Sequence, residues 1–455
     1  MVKNMTEGNP LKLILEFSFP LLLGNLFQQT YNVVDSAIVG RTLGADALGA
    51  VGSTASVQFL VLGFCIGICS GFAIPVAQRF GAGDLRGMRR DIFHSDVLTA
   101  VCALILTVVC SIFCGNILHL LQVPDNIFED SYRYLLVIFL GIPFTLLYNL
   151  LSSMLRAVGD SRAPFLFLAF SAFLNILLDF FCILVLKMGC AGAAAATVIS
   201  QAVSGVLCLL FIRKKVPTLQ LEAEDRQFRA DRAVRLFAMG APMGLQYSIT
   251  AIGSMVMQAS VNALGSIYVS GFTAGMKIKQ FALGPFDAVA TGVSTFSGQN
   301  YGAGEEARVR KGIRIGVTIC VIYAVLMGIL MITGGRVGSL LFVSADEGAV
   351  LDAAAQYLRC IGFMLWLLAF LNVCRMSTQA LGFSGRAIFS GVVEMFARVG
   401  VCVLAAPHFG WNAICWADQA AWISASCYIV PTCIWCIGTM RRRRGKPADL
   451  HQEVD

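Results

Sequence analysis

The chain has 455 residues, of which 57% are hydrophobic and 13% charged, with a mean hydropathy of +0.75 and a formal net charge of +7. Soluble proteins carry about 25% charged residues, so this composition excludes a water-soluble globular protein. It points to an all-α polytopic membrane protein.

A helical crossing needs about 20 predominantly apolar residues. Segments of that kind predict twelve transmembrane helices, at 13–38, 51–79, 92–114, 131–156, 163–187, 190–212, 234–260, 271–299, 311–335, 353–381, 387–407 and 411–438. With this assignment, 25 Lys and Arg residues fall on the side that carries both termini and 5 on the other, with Lys277, Lys279, Arg375 and Arg398 inside segments. The positive-inside rule then places both termini in the cytoplasm. The net charge is largely this bias, and no nucleic-acid partner is expected.

Helix one is not uniformly apolar. Asn25, Gln28, Asn32 and Asp35 are spaced three, four and three apart, which puts them on one face. A carboxylate at the bilayer centre costs about 2.5–3.5 kcal/mol on the insertion scale, so such a stripe should line a wet cavity or a helix contact. The opposite face, with Leu23, Leu26, Val33 and Ala37, suits lipid or packing. The glycines at 81, 83 and 87 follow a membrane helix and lack the Lys-Ser/Thr of a phosphate loop, so they read as a turn at a cytoplasmic helix end.

Helix five carries Asn175 and Asp179, four apart and on one face. A turn near Met188 leads into helix six. Asp179 lies nine residues before it and Thr197 nine after, so in a hairpin both sit about 13 Å from the turn. Asp35 also belongs to the outer half of the membrane. Contact between helices one and five does not follow from the sequence. If these groups converge, two carboxylates in a low-dielectric pocket repel when both ionise, and the pair must bind a proton or share a cation.

The longest polar stretch, Arg213 to Arg235, reads as a cytoplasmic linker with an amphipathic surface helix from Asp225 onward. The expected domains are a six-helix bundle with the cation site over 1–212, a linker over 213–233, a second six-helix bundle over 234–440 and a basic cytoplasmic tail over 441–455. The halves repeat at an offset of 221 residues: "SGFAIPVAQRFGAGD" at 70–84 matches "TGVSTFSGQNYGAGE" at 291–305. Near the same offset Pro20 meets Pro242, and "LRAVGDSRAPF" echoes "TQALGFSGRAIF". Six helices per half make this a parallel repeat, and transporters commonly place a site between such halves.

The second half lacks the first-half carboxylates. Val256 or Met257 stands where Asp35 would repeat, and Val399 and Val403 replace Asn175 and Asp179. Its embedded charges are Lys277, Asp287, Arg375, Glu394 and Arg398. Glu394 and Arg398, four apart, are expected to neutralise each other, and Lys277 to snorkel from a helix end. Gln28, Asn32, Gln246, Met257 and Asp287 are candidate substrate-facing residues, with Met255, Gln258 and Phe281 beside them. The sixteen cysteines lie mostly in apolar segments, and the four histidines show no ligand spacing. No disulfide, resident metal or other cofactor is expected, beyond H⁺ or Na⁺ as a coupling ion.

Helix one, the repeated "GAG" signature with "GQNYGAG", "LRAVGDSRAP" and "NILLD" together resemble the multidrug and toxic compound extrusion (MATE) family over essentially the whole chain. The resemblance implies two six-helix bundles around a V-shaped cavity and secondary antiport of organic cations against H⁺ or Na⁺. It also implies a cation site at Asp35, Asn175, Asp179 and Thr197, and a helix-one bend at Pro20. The chain departs from members that use carboxylates on helices seven, eight and ten of the second bundle, because only Asp287 on helix eight is available at depth.

The resulting expectation is a cation-coupled antiporter, not an enzyme, that exports small amphipathic and often cationic compounds from a cell membrane, as a monomer in lipid. The alternative is a lipid-linked precursor flippase of the wider superfamily. That alternative calls for a cationic cavity, whereas the first-half candidates are acidic. An intramembrane enzyme needs a nucleophile–base pair or a His/Glu metal motif at depth, and neither is found.

Overall fold

The computed structural model describes residues 2–444, and within them it is helical with no strand. The tail expected over 441–455 lies outside the described residues beyond 444. The helices are α1 (Pro10–Leu43), α2 (Ala45–Gly81), α3 (Leu85–Ile112), α4 (Cys114–Leu120), α5 (Asp125–Leu140), α6 (Ile142–Ala157), α7 (Arg162–Phe180) and α8 (Cys190–Lys215). They continue with α9 (Ala230–Asn262), α10 (Ser266–Gly302), α11 (Glu306–Ser339), α12 (Gly348–Ala380), α13 (Ser384–Gly400), α14 (Ala406–Phe409) and α15 (Trp411–Arg444).

Among the described residues nine helices are long and apolar enough to cross a membrane, and α5 with α6, bent by 45° at Gly141, makes a tenth span. The remaining two of the twelve are α9 and α10, with 33 and 37 residues. Their length suffices, but their polar residues depress the apolar signal. In α10 these include Lys277, Lys279 and Asp287.

The chain forms two compact units. One comprises 2–3, Phe17–Val76 and Leu85–Met255. The other comprises Asn4–Glu16, Ala77–Asp84 and 256–444. Within the first, α2 and α9 cross backbone to backbone. A Cβ on Gly67 would sit 2.5 Å from the Met243 carbonyl oxygen, and one on Gly71 would sit 2.5 Å from Gly240 Cα. Small residues permit such approach where lipid supplies no hydrophobic drive between helices.

Within the second unit the duplicated signature packs on itself. A Cβ on Gly81 would lie 1.9 Å from the Gln299 carbonyl oxygen, and one on Gly302 would lie 1.7 Å from that of Gln78. Gly83 and Gly304, both at φ +74, then turn the chain out of α2 and α10 through the left-handed region. The glycine cluster is thus helix-end chemistry. A π-helical turn follows α7 at Phe181–Val185 and another follows α13 at Val401–Ala405, so the repeat extends to backbone irregularities.

The linker holds two single 3₁₀ turns, Pro217–Leu219 and Ala223–Asp225, the second closed by a reciprocal Glu222–Asp225 capping box. The amphipathic surface helix expected from Asp225 onward does not start there among the described residues. Helix begins at Ala230 and runs on as α9. The linker is tied to α3: Arg89 pairs with Glu222, Arg232 with Asp91 at 3.3 Å, and the Arg229 N–H donates to His94 Nε2 at 2.8 Å. These side-chain bonds hold the stretch without helical propagation.

Candidate functional site

Asp35, Asn175, Asp179 and Thr197 are brought together in the first unit, from α1, α7 and α8. The carboxyl groups of Asp35 and Asp179 are within hydrogen-bonding reach of each other. The Asn175 amide, oriented with its oxygen toward α8, accepts from the Thr197 N–H at 3.1 Å and donates to Asp179 Oδ2 at 2.9 Å. Asn175 and Asp179 are buried, and Asp35 and Thr197 half-buried. One oxygen of each carboxylate, Oδ1 of Asp35 and Oδ1 of Asp179, is buried without a donor.

Local sequence explains the placement. The four-residue spacing stacks Asn175 over Asp179, and the π-helical turn begins two residues beyond Asp179. Such turns occur often at functional sites. Gly141, at the α5–α6 bend, lets α8 approach closely: a Cβ there would lie 2.2 Å from Val198 Cγ2, adjacent to Thr197. An apolar cluster with Ile38, Val39, Ala50, Ile138, Ile183 and Ala194 packs α1, α2, α5, the π turn and α8 together beside the carboxylates.

Two phenols escaped the sequence reading. The Tyr31 hydroxyl lies 3.3 Å from Thr197 Oγ1, and the buried phenol of Tyr134, on α5, feels the Asp35 carboxylate. Tyr31 is four residues before Asp35, so the same helical spacing that flagged the stripe could have found it. Tyr134 carries no such local signal.

Of the remaining stripe residues of α1, Gln28 and Asn32 are exposed, and Asn25 is half-buried. Pro20 is buried within an unbroken α1. Lacking an N–H, it leaves the carbonyl of residue 16 without its helical donor and crowds the turn before it. The neighbouring Phe17 carbonyl accepts from Ser161 Oγ at 2.7 Å. The "GDSRAP" motif supplies that serine. Gly159 turns left-handed at φ +85, and Asp160 Oδ1 caps α7 through the Arg162 and Ala163 N–H groups at 3.0 and 3.1 Å.

In the second unit the expected local Glu394–Arg398 pair is part of something larger. Arg398 Nη2 donates to Glu394 Oε1 at 3.0 Å, and Glu394 Oε2 accepts from Arg375 Nη2 at 2.6 Å. Arg398 also reaches Asp418 Oδ1 at 3.1 Å, and Asp418 Oδ2 accepts from Lys279 at 2.5 Å and from the Tyr357 hydroxyl at 2.8 Å. Asp418, on α15, was not singled out from the sequence, since no polar neighbour at helical spacing marks it. Met257 and Gln246 are buried, the former within the second unit and the latter within the first. Asp287 is exposed, with Asn372 Nδ2 at 3.4 Å. Lys277 lies over the Phe342 ring at 5.3 Å.

Comparison with known proteins gives the family. The MatE family model matches twice, at 20–181 and 242–404. The probable multidrug resistance protein YpnP of Bacillus subtilis is 33% identical over 308 residues, 67% of this chain and 68% of that protein. YoeA of the same organism, also a probable multidrug resistance protein, is 29% identical over 85% of this chain and 84% of its own. The fold superposes with a TM-score of 0.90 on an outward-facing multidrug resistance MATE family transporter of the MOP superfamily, at 20% identity and covering 96% of this chain and 98% of that one. With a family match over both halves, twelve long helices and a duplicated signature, the chain is a multi-pass membrane protein that belongs to the MATE family of transporters.

Proposed function

We propose that this transporter exports small amphipathic, often cationic, compounds in exchange for H⁺ or Na⁺, from a cell membrane with both termini in the cytoplasm. The observation that carries the reading is the adjacency of Asp35 and Asp179, each with a buried oxygen that no donor satisfies. Two unit charges about 4 Å apart at an effective dielectric of about 20 interact by about 4 kcal/mol. A doubly ionised pair is therefore unfavourable by that order until a cation arrives. A proton on one carboxyl relieves it, and so does Na⁺, for which the carboxylates and the Thr197 hydroxyl offer the oxygen donors that hard cations prefer, with Asn175 orienting Asp179.

Exchange follows from competition. External cation and a cationic compound draw on the same negative charge, so binding of one favours departure of the other. The membrane potential contributes about 2.3 kcal/mol per charge per 100 mV. The names of the relatives, multidrug resistance proteins, support small-molecule cargo. The test is dye efflux from proteoliposomes under separately imposed H⁺ and Na⁺ gradients. Efflux should follow at least one gradient. Efflux indifferent to both gradients would refute the exchange.

A further inference from the structure

Arg156 is a guanidinium for which the first unit supplies no acid among the described residues. It lies in the last turn of α6 and is half-buried. Its Nη1 donates to Ser152 Oγ and its Nη2 to Ser153 Oγ, both at 2.8 Å. Those serines are 1% and 3% exposed, so they fix the orientation of the guanidinium from its own helix. No carboxylate among the described residues bonds to it or acts on it electrostatically. The ionisable groups that do act on it are Tyr148 of α6, Cys69 of α2, Cys208 of α8 and Tyr247 of α9. Phenols and thiols are neutral at about pH 7. The Nε edge has no bond within the protein and is not sealed from the surface.

A guanidinium does not shed its proton in proteins, so this charge persists. The C-terminal end of α6 offers it about half an elementary negative charge and the serines offer two dipoles, but none of these is a counter-ion. The turn itself does not require the charge. The repeat aligns Arg156 with Gln379, at the matching place before the end of α12. Gly159 and Gly382 then turn both copies through the left-handed region, at φ +85 and +89. A neutral side chain thus serves the same helix end in the second half, and the cation is an addition peculiar to the first.

We propose that Arg156 anchors an oxyanion-binding subsite in the first unit, which takes the carboxylate or phosphate of an amphipathic compound. The planar fork of a guanidinium matches such groups in two-point geometry. The Ser152 and Ser153 hydroxyls, which accept from it, each still carry a proton to donate. The two phenols and two thiols make the remaining surroundings weakly polar. An acid borne on an apolar body therefore gains more on leaving water than a bare ion does. Asp179 lies at the far end of α7, a helix of 19 residues that starts just beyond the Arg156 turn, and so about 25 Å along it. The subsite is separate from the carboxylate pair and does not rest on exchange there. It extends the range of ligands from cations to compounds that bear an acid.

The test is calorimetric titration and thermal melting of the purified full-length protein with benzoate, phenyl phosphate and neutral benzamide, at constant pH and sodium concentration. Wild type is compared with R156Q and R156K. Both acids should bind wild type more tightly than R156Q by about tenfold or more and raise its melting temperature. Benzamide should not distinguish the two. R156K keeps the charge without the fork and should fall between them. Equal affinity of the acids for wild type and R156Q would overturn the proposal. So would the absence of binding of either acid to wild type, an outcome that needs no variant to fold. A lower melting temperature of R156Q with unchanged benzoate binding would show a guanidinium that only braces its helix, and would also overturn it. Titration in nanodiscs of phosphatidylcholine with and without phosphatidylglycerol separates the sources of the oxyanion. Loss of benzoate binding as phosphatidylglycerol is added assigns the subsite to a lipid phosphate, and unchanged binding assigns it to soluble compounds.

Discussion

Asp179→Asn is the substitution that most directly probes the carboxylate pair. Asp179 is fully buried, accepts from Asn175 at 2.9 Å and lies beside Asp35. The amide is nearly isosteric, and its NH₂ can donate to the Asp35 oxygen that has no donor. Folding should therefore be preserved, and the protein should melt at or above the wild-type temperature. Binding of a cation should suffer. Removing one unit charge about 4 Å from it forfeits about 4 kcal/mol at an effective dielectric of about 20. At about 1.4 kcal/mol per decade that is roughly a thousandfold in affinity. Two measurements read this: the rise in melting temperature with Na⁺ or with acidification, which follows from selective binding to the folded state, and gradient-driven dye efflux. Both should vanish in Asp179→Asn. A folded variant with wild-type cation dependence would refute the reasoning, because the charge would then have no part in holding the ion.

Tyr31→Phe removes only the hydroxyl 3.3 Å from Thr197 Oγ1. Its effect on cation affinity should be about 1 kcal/mol, less than tenfold, read by the same melting shifts. Gly302→Ala places a methyl 1.7 Å from the Gln78 carbonyl oxygen, and backbone rather than a flexible side chain must yield. A loss of about 3 kcal/mol or more is expected, seen as collapse of yield and of the detergent melting temperature. Asp418→Asn leaves Lys279 and Arg398 facing a neutral amide and should destabilise by about 3–5 kcal/mol. Asp287→Asn, at an exposed position, should stay within about 0.5 kcal/mol. Parallel thermal melts compare the two.

What the sequence disclosed followed from rules that act within one helix or one hairpin. The stripe from Asn25 to Asp35 and the Asn175–Asp179 stack need only helical periodicity, and the matched depth of Asp179 and Thr197 needs only a short turn. The approach of α1 to α7 needed the whole packing of the first unit, including the Gly141 notch under Val198, and no local pattern encodes it. Asp418 stayed hidden for the same reason: its partners come from α10, α12 and α13, each remote in sequence. Glu394 and Arg398 were visible as a pair because they share a helix, yet each of them also bonds to a residue of another helix. The polar spans α9 and α10 show the converse, since segment length marked them where hydropathy alone is weak.

The reciprocal crossing of Gly81 on Gln299 and Gly302 on Gln78 bears on how the duplicated gene has aged. Each copy's smallest residue is pressed by the main chain of the other copy, so neither can drift alone and neither can be rescued by a change on its own side. Elsewhere the halves differ, with the Asp35–Asp179 pair in one and a mixed cluster of acids and bases in the other. At this crossing they have been obliged to stay twins.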